Sequence, residues 1–209
     1  IYSLDDPQVN IAILNYTYGT NGIFLPENMP YAVDYLSEER VIADLQKAEE
    51  MADFTIVCPH WGTEYSLEAN ASQQKWARLM EENGADLIIG THPHVIEPVE
   101  MIDNTPVYYS IGNFVNWTSG EGAGVSNRMV GGIACIELRV EKDNLSINHY
   151  DVIPIVSHVT SMQNGVTVYR LDEYTDELAG KNEIIKQAPD FSLLYCNELV
   201  EKIWGEFMD

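Results

Sequence analysis

Two consecutive strand–loop–helix units constrain the fold of this chain more than any other sequence feature. Each unit begins with a short apolar run, at residues 9–14 and 54–57, of the kind that forms a buried strand. A third run, at residues 86–89, follows the second helix. Strands that are joined through helices pair in parallel. The pattern therefore predicts an α/β fold with at least a partly parallel sheet.

The two helices between these runs carry start and stop signals. Ser37 is placed to cap the first helix, because two glutamates follow it in the first turn, where carboxylates are favourable. We expect Ser72 to cap the second helix, which should end at Asn83 and Gly84. Both helices are amphipathic, as expected for helices that cover one face of a sheet.

Beyond residue 107 the pattern changes to successive strands. Apolar runs at residues 107–111, 132–140, 145–154 and 166–169 follow one another without helices, which predicts an antiparallel region. The C-terminal end is again helical. Its apolar stripe consists of Phe191, Leu194, Tyr195, Leu199, Val200, Ile203, Trp204 and Phe207. We expect this helix to pack on the body of the protein; a partner-binding helix is the alternative.

The charge of the chain excludes two classes of partner. Its 33 Asp and Glu residues outnumber 11 Lys and Arg, for a formal net charge of −22. Nucleic acids and anionic membranes require a basic patch, and the sequence has no basic run, so we expect neither nucleic acid nor membrane contact by this piece. With 45% apolar residues the chain has enough material for a packed core.

Three of the histidines directly follow predicted strands. His60 comes after the second apolar run, and His92 and His94 come after the third. The carboxyl ends of neighbouring parallel strands meet at one edge of a sheet, where α/β proteins bind ligands. Pro93 biases His92 toward extended geometry, in which residues two apart project to the same side. The three imidazoles are candidate ligands of a first-row metal; the alternative is that each is a hydrogen-bonded structural residue.

Carboxylates lie close to these histidines in the sequence. Glu64 follows His60 by four residues, and Glu97 and Glu100 come soon after His94. Each is placed to orient a histidine or to act as a general base, although most carboxylates in so acidic a chain are simply solvated. Glu64 is the best of the three, and we predict His60 and Glu64 as catalytic residues.

Three motifs, in this order, resemble one bacterial family. They are PHWGTEY at residues 59–65, GADLIIGTHPHV at residues 84–95 and YSIGNF at residues 109–114. Together with NYTYGTNG at residues 15–22 they resemble the CapA-type capsule and poly-γ-glutamate biosynthesis family. The resemblance spans roughly residues 9–156.

The resemblance implies a fold and a metal centre. The family is related to the calcineurin-like phosphoesterases, so it implies a metallophosphatase-like two-sheet sandwich flanked by helices. It also implies that His60 is an isolated metal ligand and that His92 and His94 form the closing pair of a centre for up to two divalent ions (Mn, Fe, Zn or Mg). Such ions lower the pKa of a bridging water and clamp the oxygens of the scissile group. Asn113 is then a turn or pocket-wall residue rather than a ligand.

Other features of the family do not occur in this sequence. Family members begin with a Gly-Asp strand end and an Asn-Asn-His segment, which supply the remaining ligands, and neither pattern is present. We therefore expect residues 1–156 to be the C-terminal half of the domain and residues 157–209 to be a mostly helical extension. The N-terminal half of the domain is an expected partner, and the isolated piece is expected to be inactive.

Two functions follow from the resemblance. The first is a CapA-type biosynthesis protein whose metal-dependent hydrolase domain acts on a cell-envelope polymer or its precursor. The second is a non-catalytic component that binds polymer or assists export. Expected partners are an anionic envelope polymer or its precursor and other capsule-synthesis proteins, at the extracellular face of the envelope, with the parent protein anchored in the membrane. The net charge opposes polyanion binding unless cations intervene.

Overall fold

Two β-sheets form the framework of the protein. The computed structural model describes residues 2–5, 8–117, 120–141, 144–161 and 165–208, and nine strands lie within these ranges. The first sheet contains β1 (Tyr2–Asp5), β2 (Gln8–Thr17), β3 (Phe54–His60), β4 (Leu87–Ile89), β5 (Val99–Ile102) and β6 (Thr105–Tyr108), in the order β1-β2-β3-β4-β6-β5. The second contains β7 (Val130–Glu141), β8 (Asn144–Ser161) and β9 (Gly165–Arg170), in chain order. The α-helices are α1 (Glu38–Glu49), α2 (Ala71–Glu82), α3 (Asp176–Lys181) and α4 (Leu193–Met208).

The centre of the first sheet is parallel, as predicted. β2, β3, β4 and β6 run in the same direction, while β1 and β5 are antiparallel edge strands. The expectation that strands become antiparallel from residue 107 onward is wrong for β6, which pairs in parallel with β4. All four residues of β6 are buried, as is typical of a strand covered on both faces. From β7 onward the antiparallel prediction is confirmed.

The first sheet is the middle layer of the fold. Along β4, Ile88 belongs to the core that faces α1 and α2, whereas Leu87 belongs to the core shared with the second sheet and α4. The same alternation places Val107 on the helical side and Tyr108 on the other. The predicted α/β class, with two sheets, flanking helices and a helical C-terminal extension, is confirmed.

The helix starts differ in one respect from the prediction. Ser37 caps α1 by accepting a hydrogen bond from the backbone N–H of Arg40 at 3.3 Å. Asn70, not Ser72, caps α2. The Asn70 side chain accepts from the backbone N–H groups of Ser72 and Gln73, while the Gln73 side chain accepts from the Asn70 N–H. This reciprocal capping box satisfies more of the exposed donors than a lone serine would.

α4 packs on the body of the protein, with one residue of the predicted stripe outside the contact. Val200 and Trp204 are buried, but Leu194 is 65% exposed. Cys196 is buried instead, and at 100° per residue Leu194 points about 200° away from it. The predicted division at residue 156 falls within β8 and stays a prediction. Within the described ranges, no helix is both long and apolar enough to cross a membrane.

Candidate functional site

Parallel pairing of β3 with β4 brings the three predicted histidines to one edge of the first sheet. His60 is the last residue of β3 and pairs with Thr91, and His92 and His94 lie in the loop after β4. His92 Nδ1 lies 3.1 Å from His60 Nε2, within hydrogen-bond distance. The ring of His94 is centred 6.2 Å from the ring of His92. Two imidazoles are therefore in direct contact, and the third is their neighbour.

The backbone around these histidines is not extended as predicted. His92 has φ 104° and His94 has φ 61°, and Tyr65 in the facing loop has φ 66°. Residues other than glycine rarely adopt such values, which cost about 1–3 kcal/mol each and concentrate at functional sites. The strain persists because backbone bonds tie the two loops together, including one from Tyr65 N–H to the Pro93 carbonyl at 2.7 Å. Pro93 fixes its own φ but does not force extended geometry on His92.

Polar side chains hold two of the imidazoles from outside. His60 Nδ1 lies 3.2 Å from Thr91 Oγ1, and His94 Nδ1 lies 2.9 Å from Asn113 Oδ1. The Asn113 amide also donates to the carbonyls of His94 and Arg128. Asn113 therefore fixes both the ring and the backbone of His94. Sequence reasoning placed it in the pocket wall but missed this orienting role.

Two half-exposed tyrosines flank the histidines. The ring of Tyr18 is centred 4.6 Å from that of His92, and the ring of Tyr65 is stacked 6.0 Å from that of His94. The guanidinium of Arg128 lies 3.7 Å from the centroid of the Tyr65 ring, a cation–π distance. Neither tyrosine was predicted from the sequence to be a site residue.

Burial keeps the two contacting imidazoles neutral near pH 7. It lowers the pKa of His60, which the neighbouring imidazoles lower further. Burial also lowers the pKa of His92, although the nearby carboxylate of Glu64 works in the opposite direction. Neutral imidazole is the form that binds a metal. The predicted catalytic roles of His60 and Glu64 stay predictions, as does the metal-binding role of the three histidines.

The other two carboxylates from the sequence analysis bind different partners. Glu100 accepts a hydrogen bond from the Tyr109 hydroxyl at 2.7 Å, and Glu97 accepts one from Gln73 Nε2 at 2.6 Å. Neither of these bonds is to a histidine, and the choice of Glu64 as the best of the three carboxylates stays a prediction.

The histidines supply only some of the ligands that a metal ion needs. Two nitrogens bound to one tetrahedral zinc ion at the usual bond length are about 3.3 Å apart, close to the 3.1 Å between His60 and His92. In the part of the chain that is described, however, no group of three or more His, Cys, Asp or Glu side chains is arranged to hold an ion. The two histidines are suitable ligands, and a complete site requires further donors.

Part of this chain, including the histidine site, matches a known family, and two curated relatives are similar to it over part of its length. The family model for the bacterial capsule synthesis protein PGA_cap matches residues 1–118, a range that contains all three histidines and Asn113. The PGA biosynthesis protein CapA of Bacillus subtilis is 40% identical over 114 residues, which make up 53% of this chain and 30% of that protein. The capsule biosynthesis protein CapA of Bacillus anthracis is 30% identical over 118 residues, 53% of this chain and 28% of that protein. The chain thus spans about three tenths of the length of these curated relatives.

One solved structure shows a weaker likeness. It comes from a Staphylococcus aureus protein described as a 5′-nucleotidase, crystallised with α-ketoglutarate. The TM-score is 0.46 with 19% sequence identity, over 73% of this chain and 28% of that one.

Proposed function

Because this chain belongs to the bacterial capsule synthesis family that the PGA_cap model describes, we propose that it carries part of a metal-dependent hydrolase site acting on a cell-envelope polymer or its precursor. The observation that supports this proposal best is the pair of neutral imidazoles of the partly buried His60 and the buried His92, whose nearest nitrogens lie 3.1 Å apart at the carboxyl edge of a parallel sheet. The strained backbone at His92 and His94 supports it further, because folds retain such strain mainly at functional sites.

The residues have distinct proposed roles. His60, His92 and His94 hold a divalent ion, and Asn113 fixes the ring of His94. When bound, such an ion makes water a nucleophile near neutral pH and stabilises the charge that develops on the attacked group. Glu64, which lies close enough to affect the pKa of His92, is the proposed general base. The half-exposed rings of Tyr18 and Tyr65 provide walls for the substrate.

The proposal requires donors beyond the three histidines. We propose that another segment or chain, corresponding to the N-terminal half of the domain, supplies the missing carboxylate ligands. Alone, the histidines would then bind an ion weakly and would not support hydrolysis. We also propose a cell-envelope location, with other capsule-synthesis proteins as partners; the two Bacillus relatives, a PGA biosynthesis protein and a capsule biosynthesis protein, support this.

The charge of the protein affects the choice of substrate. A net charge of −22 repels an anionic polymer over most of the surface. Divalent cations at the histidine edge would reduce this repulsion locally. We therefore expect binding of an anionic polymer to depend on divalent cations and to disappear with a chelator.

Metal titration tests the proposal. Tag-free protein is titrated with Co²⁺, Zn²⁺ and Mn²⁺ in a calorimeter, and the Co²⁺ absorption spectrum reports ligand type. We expect binding that a His60→Ala, His92→Ala double variant abolishes and that His149→Ala, a change at an exposed histidine on β8, leaves intact. Absence of binding by the wild-type protein, or equal binding by the double variant, would refute the metal site.

A non-catalytic polymer-binding protein is the second candidate. The lack of a complete three-donor group among the described residues favours it. Retention of poly-γ-glutamate in the presence of a chelator, without hydrolysis of phosphoester or amide substrates by the longer protein, would support this candidate over the enzyme.

A further inference from the structure

A fully buried carboxyl group lies beneath the two histidine loops. Glu97 is 0% exposed and follows His94 by three residues. Its Oε2 accepts a hydrogen bond from Gln73 Nε2 at 2.6 Å, and Oε1 has no hydrogen-bond partner among the described residues. Burying a carboxyl group with one oxygen that lacks a hydrogen bond destabilises the folded state. We therefore expect Glu97 to have a role at this position.

Gln73 connects this carboxyl to the other histidine loop. The side chain is 1% exposed, and it is fixed at its far end because Oε1 accepts from the Asn70 N–H. Its amide also packs directly against Gly62, two residues after His60: a Cβ added at Gly62 would lie 2.8 Å from Gln73 Cδ. Gly62 has φ 95°, a conformation in which glycine is favoured. One buried amide therefore touches the loop of His60 and the carboxyl that follows His94.

The C-terminal helix completes this arrangement from the opposite side. Trp204 on α4 is 1% exposed, and its Nε1–H donates to the backbone carbonyl of Glu97 at 2.8 Å. The indole ring packs so closely on Gly132 of β7 that a Cβ there would lie 2.7 Å from Trp204 Cη2. The indole is thus fixed by the second sheet. α4 lies outside residues 1–118, the range that the family model matches.

We infer that Glu97, Gln73 and Trp204 are positioning residues that set the distance between His60 and His92, which makes α4 a functional part of the histidine site. The loop after β4 contains left-handed residues that would relax to other conformations without support. Glu97 supplies that support at its side chain through α2 and at its backbone through α4. The inference that this spacing serves metal binding rests on the proposed function; the positioning itself does not.

Four variants separate positioning from general stability. Glu97→Ala removes the carboxyl, and Trp204→Phe removes the indole N–H while keeping an aromatic ring. Glu97→Gln is the conservative variant, because its amide oxygen can still accept from Gln73. Tyr174→Phe is the matched control: it deletes a buried hydroxyl that bonds His158 and Asn182 in the core shared with α4.

The first measurement needs no metal. Imidazole ¹⁵N signals of His60 and His92 in the metal-free protein report the hydrogen bond between the two rings. We expect Glu97→Ala and Trp204→Phe to shift these signals and Glu97→Gln to keep them close to the wild-type positions. Tyr174→Phe should move only the signals of His158. If Glu97→Ala does not fold, Trp204→Phe alone tests the inference.

The second measurement is Zn²⁺ affinity by calorimetry. Loss of an orienting partner should weaken binding by about 10- to 100-fold in Glu97→Ala and Trp204→Phe, with wild-type affinity in Glu97→Gln and Tyr174→Phe. If the wild-type protein binds no Zn²⁺, the proposed function fails while the imidazole signals still decide the positioning. Unchanged His60 and His92 signals in Trp204→Phe, or equal shifts in Tyr174→Phe at the same loss of stability, would overturn the inference.

Discussion

Replacing Glu97 by Gln should remove a pH-dependent loss of stability. Burial raises the pKa of Glu97 from 4.5 to about 7, although the hydrogen bond from Gln73 partly opposes the shift. Between these two pH values the folded state binds a proton that the unfolded state has released. The free energy of unfolding therefore falls as pH rises through this window, and the loss is complete above it.

The size of the effect follows from the two pKa values. At about 1.4 kcal/mol per pH unit, the shift from 4.5 to about 7 corresponds to a destabilisation of about 3 kcal/mol at pH 8.5, and to almost none at pH 4. Glu97 is fully buried, so solvent screening does not reduce this figure substantially. Burial raises the pKa of the neighbouring Tyr109 above its ordinary value, so that hydroxyl does not titrate in this range.

The assay is urea unfolding of wild type and Glu97→Gln, followed by tryptophan fluorescence at several pH values between 4 and 8.5. Other carboxylates and the histidines titrate in both proteins, so their contributions cancel in the difference between the two free energies. We expect the variant to gain about 3 kcal/mol on the wild type across this range. A difference that stays constant with pH, or that grows toward low pH, would refute the reasoning.

Three further substitutions test other parts of the site and its scaffold. Gly62→Ala combines a left-handed backbone with a clash against a buried amide, so it should cost about 2–4 kcal/mol by thermal unfolding, more than Gly22→Ala, which shares the positive φ but has open space. Equal losses would show that the contact is unimportant. Asn70→Ala should cost about 1 kcal/mol in urea unfolding and Ser72→Ala less than about 0.5 kcal/mol, because only the asparagine caps α2; the reverse order would contradict the capping assignment. Asn113→Ala should weaken Zn²⁺ binding by about 10-fold or more, measured by calorimetry, because the ring of His94 loses its orienting partner; unchanged affinity would exclude this role.

That the three histidines lie at one edge of the sheet could be predicted, because the prediction depends only on local sequence patterns. The apolar runs before His60 and His92 fix two strands, and parallel pairing brings their ends together without any knowledge of side-chain contacts. The same logic did not find β5, which has only four residues, and it gave β6 the wrong direction because the short segment between β4 and β6 contains no helix. Ser72 was chosen as a cap on residue type alone, whereas Asn70 gains from a reciprocal bond to Gln73.

The hydrogen bonds that hold the histidine loops in place could not be predicted, because they join residues far apart in the sequence. Gln73 and Glu97 are 24 residues apart, and Glu97 and Trp204 are 107 apart. Glu97 was a candidate because it lies near His94 in the sequence, whereas its side chain accepts a hydrogen bond from Gln73. Nothing in local composition distinguishes a carboxyl that faces a histidine from one that faces a buried amide on a helix. The left-handed backbone of His92 was missed because it depends on bonds between the two loops rather than on Pro93.

The bond between Trp204 and Glu97 also has a consequence for the order of folding during synthesis. The strands that carry the histidines are made before α4, and they can pair as soon as α2 and β4 have left the ribosome. The carbonyl of Glu97 finds its partner only after the following 107 residues have been made, since the indole lies in α4. Contacts of such long sequence separation form late, because chain closure must precede them. The edge of the sheet that bears the histidines is therefore translated well before α4, and it reaches its final geometry only after α4 has docked.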